Sequence, residues 1–501
     1  MAVSTSVAGA PSTGAAAAPA IPPRAGVGTV ALLVVSGLLG LAATTYLAVA
    51  GHGLGLHLTA PDLWFFEDNT DLSPDELGFD TARGWSSAAL GLWAAAWLLA
   101  GLALRRGIRA RWLLVLGLVW SVPLVIGPPL FTADPWFYTA IGNAVQLGVD
   151  PFEEGPGVLG DIEAVRGAEE FWRFSPTPYS PPFVALLSGL SWLFGQDVLA
   201  QLVAIRVLCV AAWAVCAVVV CRIARHLGGS PAVAMWLGAI NPLVLLHLVS
   251  GAHNDALMLG LLLPGLLLAL TGRPLLGILL CVAAAGVKAT ALVVVLVIGV
   301  DWARRQTTWP ARLRALVLAG GLGAGAFALT VQLSGYGWTF LENLDTPGKA
   351  LEALTPTTAL AYVLDLQDPP VDGARQAGIV VAVVLSLLFL TRLRRWGLVR
   401  VTSWIALTVI LTGSVVWPWY LVWPTMLFAA AGVAAERLVV VLWSVALLFT
   451  LLPGGHPVLA LYVRPGPDQL VLWVLGVAVV AGLVHVVVSR LRRRPLAEVT
   501  Q

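Results

Sequence analysis

The residues able to do chemistry in this sequence gather at four places. Asp134 stands in Phe131-Thr132-Ala133-Asp134-Pro135-Trp136-Phe137-Tyr138, just beyond a long apolar run. A carboxylate at such a boundary is partly desolvated, which raises its expected pKa and suits it to accept a proton. It could equally cap a helix, with Pro135 at the first helical position. The second place is Ser250-Gly251-Ala252-His253-Asn254-Asp255, between two further apolar runs. Polar side chains so close to hydrocarbon are expensive unless they are partnered or functional, although Asn254 or Asp255 could also be a helix cap. Lys288 and Arg206, two cations within apolar runs, form the third. A buried cation needs an anion, and either a lipid phosphate or a salt bridge to Asp134 or Asp255 would serve. The fourth is Val416-Trp417-Pro418-Trp419-Tyr420-Leu421-Val422-Trp423-Pro424. Its aromatics suit a membrane interface, and equally the faces of sugars or an isoprenoid chain.

The elements that must position these groups are membrane helices. Hydrophobic residues are 58% of the 501 and charged residues 11%, against roughly 25% charged in an ordinary soluble domain. Runs long enough to cross about 30 Å of hydrocarbon fall near 27–50, 85–104, 112–131, 199–221, 231–250, 255–271, 313–334, 375–391, 399–416, 418–435, 438–453 and 469–489. The stretch 274–301 is too long for one helix and reads as two short spans broken at Gly286-Val287-Lys288. The expected fold is therefore all-α and polytopic, with about fourteen transmembrane helices.

Charge placement decides the topology. If 180–196 lies flat on the membrane surface, 21 of the 29 basic residues share one side with only Asp301, Glu436 and Glu498 of the 27 acidic ones. One extra crossing would destroy that separation, so 180–196 is expected to be a surface helix with the basic side cytoplasmic. Three acidic, aromatic loops, 51–84, 132–198 and 335–374, then face outward, and chemistry is expected there.

Residues 1–26 and 490–501 read as cytoplasmic tails, the first of them disordered, around a single unit at 27–489. The run 27–50 exceeds a signal peptide's usual core of about 7–15 residues. Cys209, Cys216, Cys221 and Cys281 lie in apolar runs and read as small core residues. His52, His57, His226, His247, His456 and His485 show no ligand spacing, and no phosphate-loop, dinucleotide or zinc motif occurs. Nothing suggests nucleic-acid binding.

Together these pieces resemble the polyprenol-phosphate-sugar-dependent glycosyltransferases of the GT-C fold. Asp134 leads into Gly148-Val149-Asp150-Pro151-Phe152 and then Tyr179-Ser180-Pro181-Pro182-Phe183, a run similar to one in lumenal mannosyltransferases. Gly251-Ala252-His253-Asn254-Asp255-Ala256-Leu257-Met258-Leu259-Gly260 resembles the actinobacterial polyprenol-phosphomannose-dependent α-(1→6)-mannosyltransferases. The first outer loop departs from many relatives in carrying one Asp where they carry an Asp-Glu pair.

The resemblance implies an inverting transfer of mannose from polyprenyl-phosphate-mannose to a mannosylated phosphatidylinositol or related mannan acceptor of lipomannan and lipoarabinomannan. It implies a multi-pass plasma-membrane enzyme whose site faces the periplasm or exterior. Asp134 is the implied catalytic base. The implied substrate-binding residues are Tyr138, Tyr179, Arg206, His253, Asn254, Asp255, Lys288, Trp417 and Tyr420. No cofactor is expected, with a divalent metal left open. An α-(1→2)-mannosyltransferase, an arabinosyltransferase, a lipid-linked sugar flippase and a non-catalytic scaffold are the competing readings. The sequence lacks the repeated halves that such flippases and transporters usually show.

Overall fold

The computed structural model of the chain describes residues 27–53, 76–349, 355–365 and 368–450. The tails, most of the loop 51–84 and the expected final span 469–489 lie outside the described residues.

Among the described residues every regular element is helical and no strand occurs. The helices of ten residues or more, with one bent pair counted as a unit, run as follows. They are α1 Val27–Gly53, α2 Glu76–Leu104, α3 Ala110–Ile126, α4 Asp134–Gln146, α5 Pro181–Phe194 and α6 Val198–His226. The bent pair Pro231–Ala239 and Pro242–Ser250 is α7. Then come α8 Asp255–Leu270, α9 Pro274–Val287, α10 Leu292–Arg304, α11 Trp309–Ser334, α12 Val371–Thr391, α13 Leu393–Leu411, α14 Val422–Ala431 and α15 Ala434–Leu447.

Five of these are long and apolar enough to cross a membrane, or six if α7 is one span. Their surfaces explain the composition. On α12, Val380, Val383, Val384, Leu387 and Leu388 are about half exposed or more. An apolar face that large is unfavourable in water and costs nothing in lipid. The chain is a helical membrane protein.

The expected break near Gly286 is present: α9 ends at Val287, and a short 3-10 turn at Ala289–Ala291 starts the next helix. The run 231–250 behaves differently from the uninterrupted span expected. It bends by 48° at Asn241-Pro242, because proline cannot donate into the preceding turn. Asn241 repairs the break, accepting from the Leu243 N–H at 3.0 Å and donating to Ser444 Oγ at 2.7 Å.

Small residues bring the site-bearing helices close. α8 and α9 meet at Gly265 and Gly277, where a Cβ on Gly277 would stand 2.5 Å from the Gly265 carbonyl. α5 lies along α4 at Gly142, where a Cβ would meet the Leu187 carbonyl at 2.6 Å. The short α5 thus packs lengthwise on the helix that carries Asp134. At the far end of the bundle, Asp301 pairs with Arg305 and Glu436 with Arg400, both at 2.6 Å. Two of the three acids that the charge count assigns to the basic side are therefore neutralised by arginines of that side. The four cysteines are buried and unpaired.

Candidate active site

α3 cannot continue beyond Ile126 because Gly127-Pro128-Pro129 follows. The chain reverses through Phe131, held at φ 66°, and starts α4 with Asp134 in its first turn. The N-cap position belongs to Ala133, and the Asp134 carboxylate makes no capping bond. It reaches across to His253, whose Nδ1 lies 2.9 Å from Oδ2. The Tyr138 hydroxyl, one turn along α4, donates to the same oxygen at 3.2 Å. Oδ1 has no hydrogen bond among the described residues, and the side chain is 13% exposed.

The expected rise in the Asp134 pKa is corrected by this arrangement. Burial does push the carboxyl up, but His253, then Lys288 and the Tyr138 hydroxyl, outweigh it and hold the pKa below its ordinary value. The Tyr138 and Tyr179 phenols are pushed well above theirs, by burial first and by Asp134 next. Both remain protonated donors.

His253 comes from the turn between α7 and α8. The second half of α7 ends in a π-helical turn, Leu245–Ser250, which delivers Gly251 and then Ala252 at φ 47°. Non-glycine residues in the left-handed region cost about 1–3 kcal/mol and gather at functional sites. Here one lies just before each member of the Asp134–His253 pair. The imidazole stacks on Trp419 with centroids 4.3 Å apart and 19° between planes. The Asn254 N–H donates to the Tyr138 hydroxyl at 3.2 Å.

Asp255 opens α8 and is fully buried. Lys288 Nζ binds both of its oxygens, at 2.7 and 2.8 Å, and the Trp423 indole N–H donates to Oδ1. The ammonium also lies 4.5 Å from the Tyr420 ring centroid and 5.2 Å from that of Trp423. The salt bridge that the sequence allowed for Lys288 is therefore made, with Asp255.

These groups border a cavity of about 950 Å³, open space at its mouth included. Of the residues singled out by sequence, Asp134, Tyr179, Lys288, Trp417 and Tyr420 line it. Tyr138, Arg206, His253, Asn254 and Asp255 stand behind that wall, each at most 4% exposed. Arg206 is directed to the backbone, donating to the carbonyls of Val125 at 3.0 Å, Gly127, and Ser250 at 2.7 Å. Sequence reasoning missed Trp419 and Trp423 as individual contributors, although both lie in the aromatic run it singled out. Their i,i+4 spacing, which puts two indoles on one face of a helical turn, was the available signal. Trp172, Thr290 and Ser414, also in the wall, carried no signal in the sequence. Among the described residues no group of three or more His, Cys, Asp or Glu side chains is placed to hold a metal ion.

Residues 37–304 match the family model described as alpha-(1->6)-mannopyranosyltransferase, N-terminal domain, and residues 353–491 match the MptB C-terminal domain. The cavity wall draws on both matched regions. The chain is similar to alpha-(1->6)-mannopyranosyltransferase A of Mycobacterium tuberculosis, with 30% identity over 64% of each chain. It is also similar to a probable alpha-(1->6)-mannopyranosyltransferase of Mycolicibacterium smegmatis, with 28% identity over 78% of each. To alpha-(1->6)-mannopyranosyltransferase A of Corynebacterium glutamicum it is 29% identical, over 49% of this chain and 53% of the relative. The match thus spans a little under two thirds of the first of these relatives and about half of the third. No solved structure matches the chain. With more than half of its residues matched by one family model, the chain belongs to the alpha-(1->6)-mannopyranosyltransferase family.

Proposed function

We propose that this protein transfers mannose from polyprenyl-phosphate-mannose to the 6-hydroxyl of a mannan acceptor, with inversion, in a GT-C fold of about fourteen spans whose site faces the exterior. One observation carries the reading. A carboxylate with a free oxygen, Asp134, and an ammonium, Lys288, line the same aromatic-walled cavity in a chain of this family.

The acceptor O–H gives its proton to Asp134 Oδ1 as its oxygen bonds to the anomeric carbon. The bond from that carbon to the phosphate oxygen breaks, and the electron pair leaves on the phosphate. The donor phosphate carries one negative charge and departs with two, while Asp134 goes from charged to neutral. The total charge of the site is unchanged across the step, which suits a low-dielectric enclosure. Lys288 stands where the extra phosphate charge develops. Two of its N–H groups bind Asp255 and one remains. The 3-10 turn Ala289–Ala291, which leads into α10, presents its first backbone N–H groups there, since Ala289 and Thr290 are part of the wall. Trp417, Trp419 and Tyr420 offer faces to the sugar and the first isoprene units. A mannosylated phosphatidylinositol or a related lipid-anchored mannan is the acceptor class.

The test is reconstitution in nanodiscs with radiolabelled polyprenyl-phosphate-mannose and a short α-(1→6)-mannan. Linkage analysis of the product should show new α-(1→6) mannose. Transfer in another linkage, or of pentose in place of mannose, would overturn the assignment.

A further inference from the structure

The reaction as proposed uses Asp134 and Lys288 and leaves unexplained three buried groups behind the cavity wall: Arg206, His253 and His247. Arg206 is the most telling. Its guanidinium joins the carbonyls of Val125 and Gly127, at the end of α3, to the carbonyl of Ser250, at the end of α7. Those two chain ends lead within a few residues to Asp134 on one side and His253 on the other. Each then passes through a residue with positive φ, Phe131 or Ala252, before the pair meets at 2.9 Å. A planar fork can hold several carbonyls at fixed separation, whereas an ammonium is a point charge without that geometry.

His253 is held as firmly. Trp419 stacks on one face, His247 lies 5.5 Å away between centroids, and Cys209 Sγ sits 3.3 Å from the Ala252 carbonyl. Its Nε2 is buried without a hydrogen-bond partner in the structure, so the ring's polar contact is the one through Nδ1. That bond occupies Oδ2 of Asp134 and leaves Oδ1 for the acceptor hydroxyl.

We propose that His253 is a positioning residue that orients the Asp134 carboxylate, and that Arg206 clamps the two chain segments on which this pair depends. The inference rests on Asp134 being the base. It assigns Arg206 no contact with the donor phosphate.

The groups facing the pair are Tyr138 on α4, Tyr179 from the segment before α5, and Lys288 at the α9 break. Asp255 on α8, Tyr420 in the aromatic turn and His247 on α7 complete the set. None of them changes in the following test, so a moved acid limb reports on the pair.

Arg206→Lys, His253→Ala, His253→Asn and the Arg206→Lys/His253→Ala double variant are purified as full-length protein. Each is assayed for kcat, donor KM and the pH dependence of kcat/KM. A base displaced by about 1 Å can lose on the order of 10²-fold in rate. Arg206→Lys and His253→Ala should each lower kcat by about that factor with donor KM little changed, and both should move the acid limb upward. His253→Asn keeps an N–H at the Nδ1 position and should stay within about tenfold of wild type, the net worth of one hydrogen bond. The double variant should fall no further than the worse single one, because both act on the same pair.

A raised donor KM with intact kcat in Arg206→Lys would make the arginine a phosphate ligand and overturn the clamp. An unmoved acid limb in His253→Ala would overturn the positioning role. Asp134→Asn, assayed beside them, separates the two readings. Activity surviving there defeats the proposed base itself, whereas activity lost there but kept in His253→Ala defeats only the positioning inference.

Discussion

Asp134 and Asp255 invite comparison because so much about them is alike. Each lies in the first turn of a helix at the same end of the bundle, and each feels Lys288 and the same aromatic shell. What differs is how many oxygens are taken. Asp255 is fully buried, and both oxygens accept, from Lys288 twice and from Trp423 once. Asp134 keeps one oxygen free and opens to the cavity. A satisfied carboxylate holds a structure together, while a half-satisfied one can still take a proton. Proximity of two acids to a site is therefore poor grounds for giving them the same role. Their hydrogen bonds join Asp255 to Lys288 and leave one oxygen of Asp134 open to the cavity, which is what the proposed base role requires.

The sharpest way to break that division is Asp134→Asn, which keeps the shape and removes the basic oxygen. Turnover should fall by about 10²–10⁴-fold, with thermal stability near that of wild type. A variant retaining more than half the rate would transfer the base role to Asp255. Lys288→Ala comes next, at about 10²–10³-fold in kcat, the typical cost of removing one donor aimed at developing charge. Asp255→Asn should show the opposite balance. Breaking a buried pair costs about 3–5 kcal/mol, and the lower end applies here because the lysine side chain is 14% exposed. Its melting temperature should drop clearly while the folded fraction turns over faster than Asp134→Asn. Equal rate losses with equal stability would erase the distinction between the two acids.

The division was only partly legible in the sequence. The apolar runs marked most helices, and the break beside Lys288 was readable because Gly286 and a lysine cannot continue a lipid-facing span. The 48° bend in α7 was missed, although Asn241-Pro242 was in plain view, because the run 231–250 as a whole is apolar enough to pass for one span. The pairings themselves join residues 119 and 168 positions apart, 134 with 253 and 255 with 423. No local pattern carries such contacts. The same distance explains the inverted pKa expectation: burial of Asp134 is a local inference, and the groups that together outweigh it, His253 before Lys288 and Tyr138, are mostly distant in sequence. Arg206 shows the same limit: an arginine in an apolar run suggests an anion, while the structure turns this one to backbone carbonyls at the ends of α3 and α7.

The pH dependence sharpens the comparison by a smaller margin. A carboxyl whose pKa is depressed in the folded protein stays ionised until the pH falls through that lowered value. If Asp134 is the base, the midpoint of the acid limb therefore lies below 3.8, the ordinary carboxyl value. An acid limb well above 3.8, in protein shown by circular dichroism to remain folded, would mean that the rate follows a group other than the Asp134 paired with His253.

The smallest expected effect is that of chelation. Magnesium prefers near-octahedral oxygen coordination, through a carboxylate or two completed by waters. Of the four carboxylate oxygens near the cavity, both on Asp255 are bound by Lys288 and Trp423, and Oδ2 of Asp134 by His253 and Tyr138. A cation would have to settle on one remaining oxygen beside the Lys288 ammonium, or displace that ammonium from Asp255. The first sets the cation against the charge of the ammonium, and the second breaks a partly buried ion pair. On the proposed donor, a polyprenyl monophosphate also leaves with less charge to neutralise than a pyrophosphate does, and Lys288 lines the same cavity. Transfer from polyprenyl-phosphate-mannose should accordingly persist in excess EDTA, with no gain from added magnesium or manganese. Complete loss in EDTA, restored by either metal, would mean that Lys288 leaves Asp255 during turnover. The two aspartates would then share one cation, and the contrast between them would belong to the resting enzyme alone.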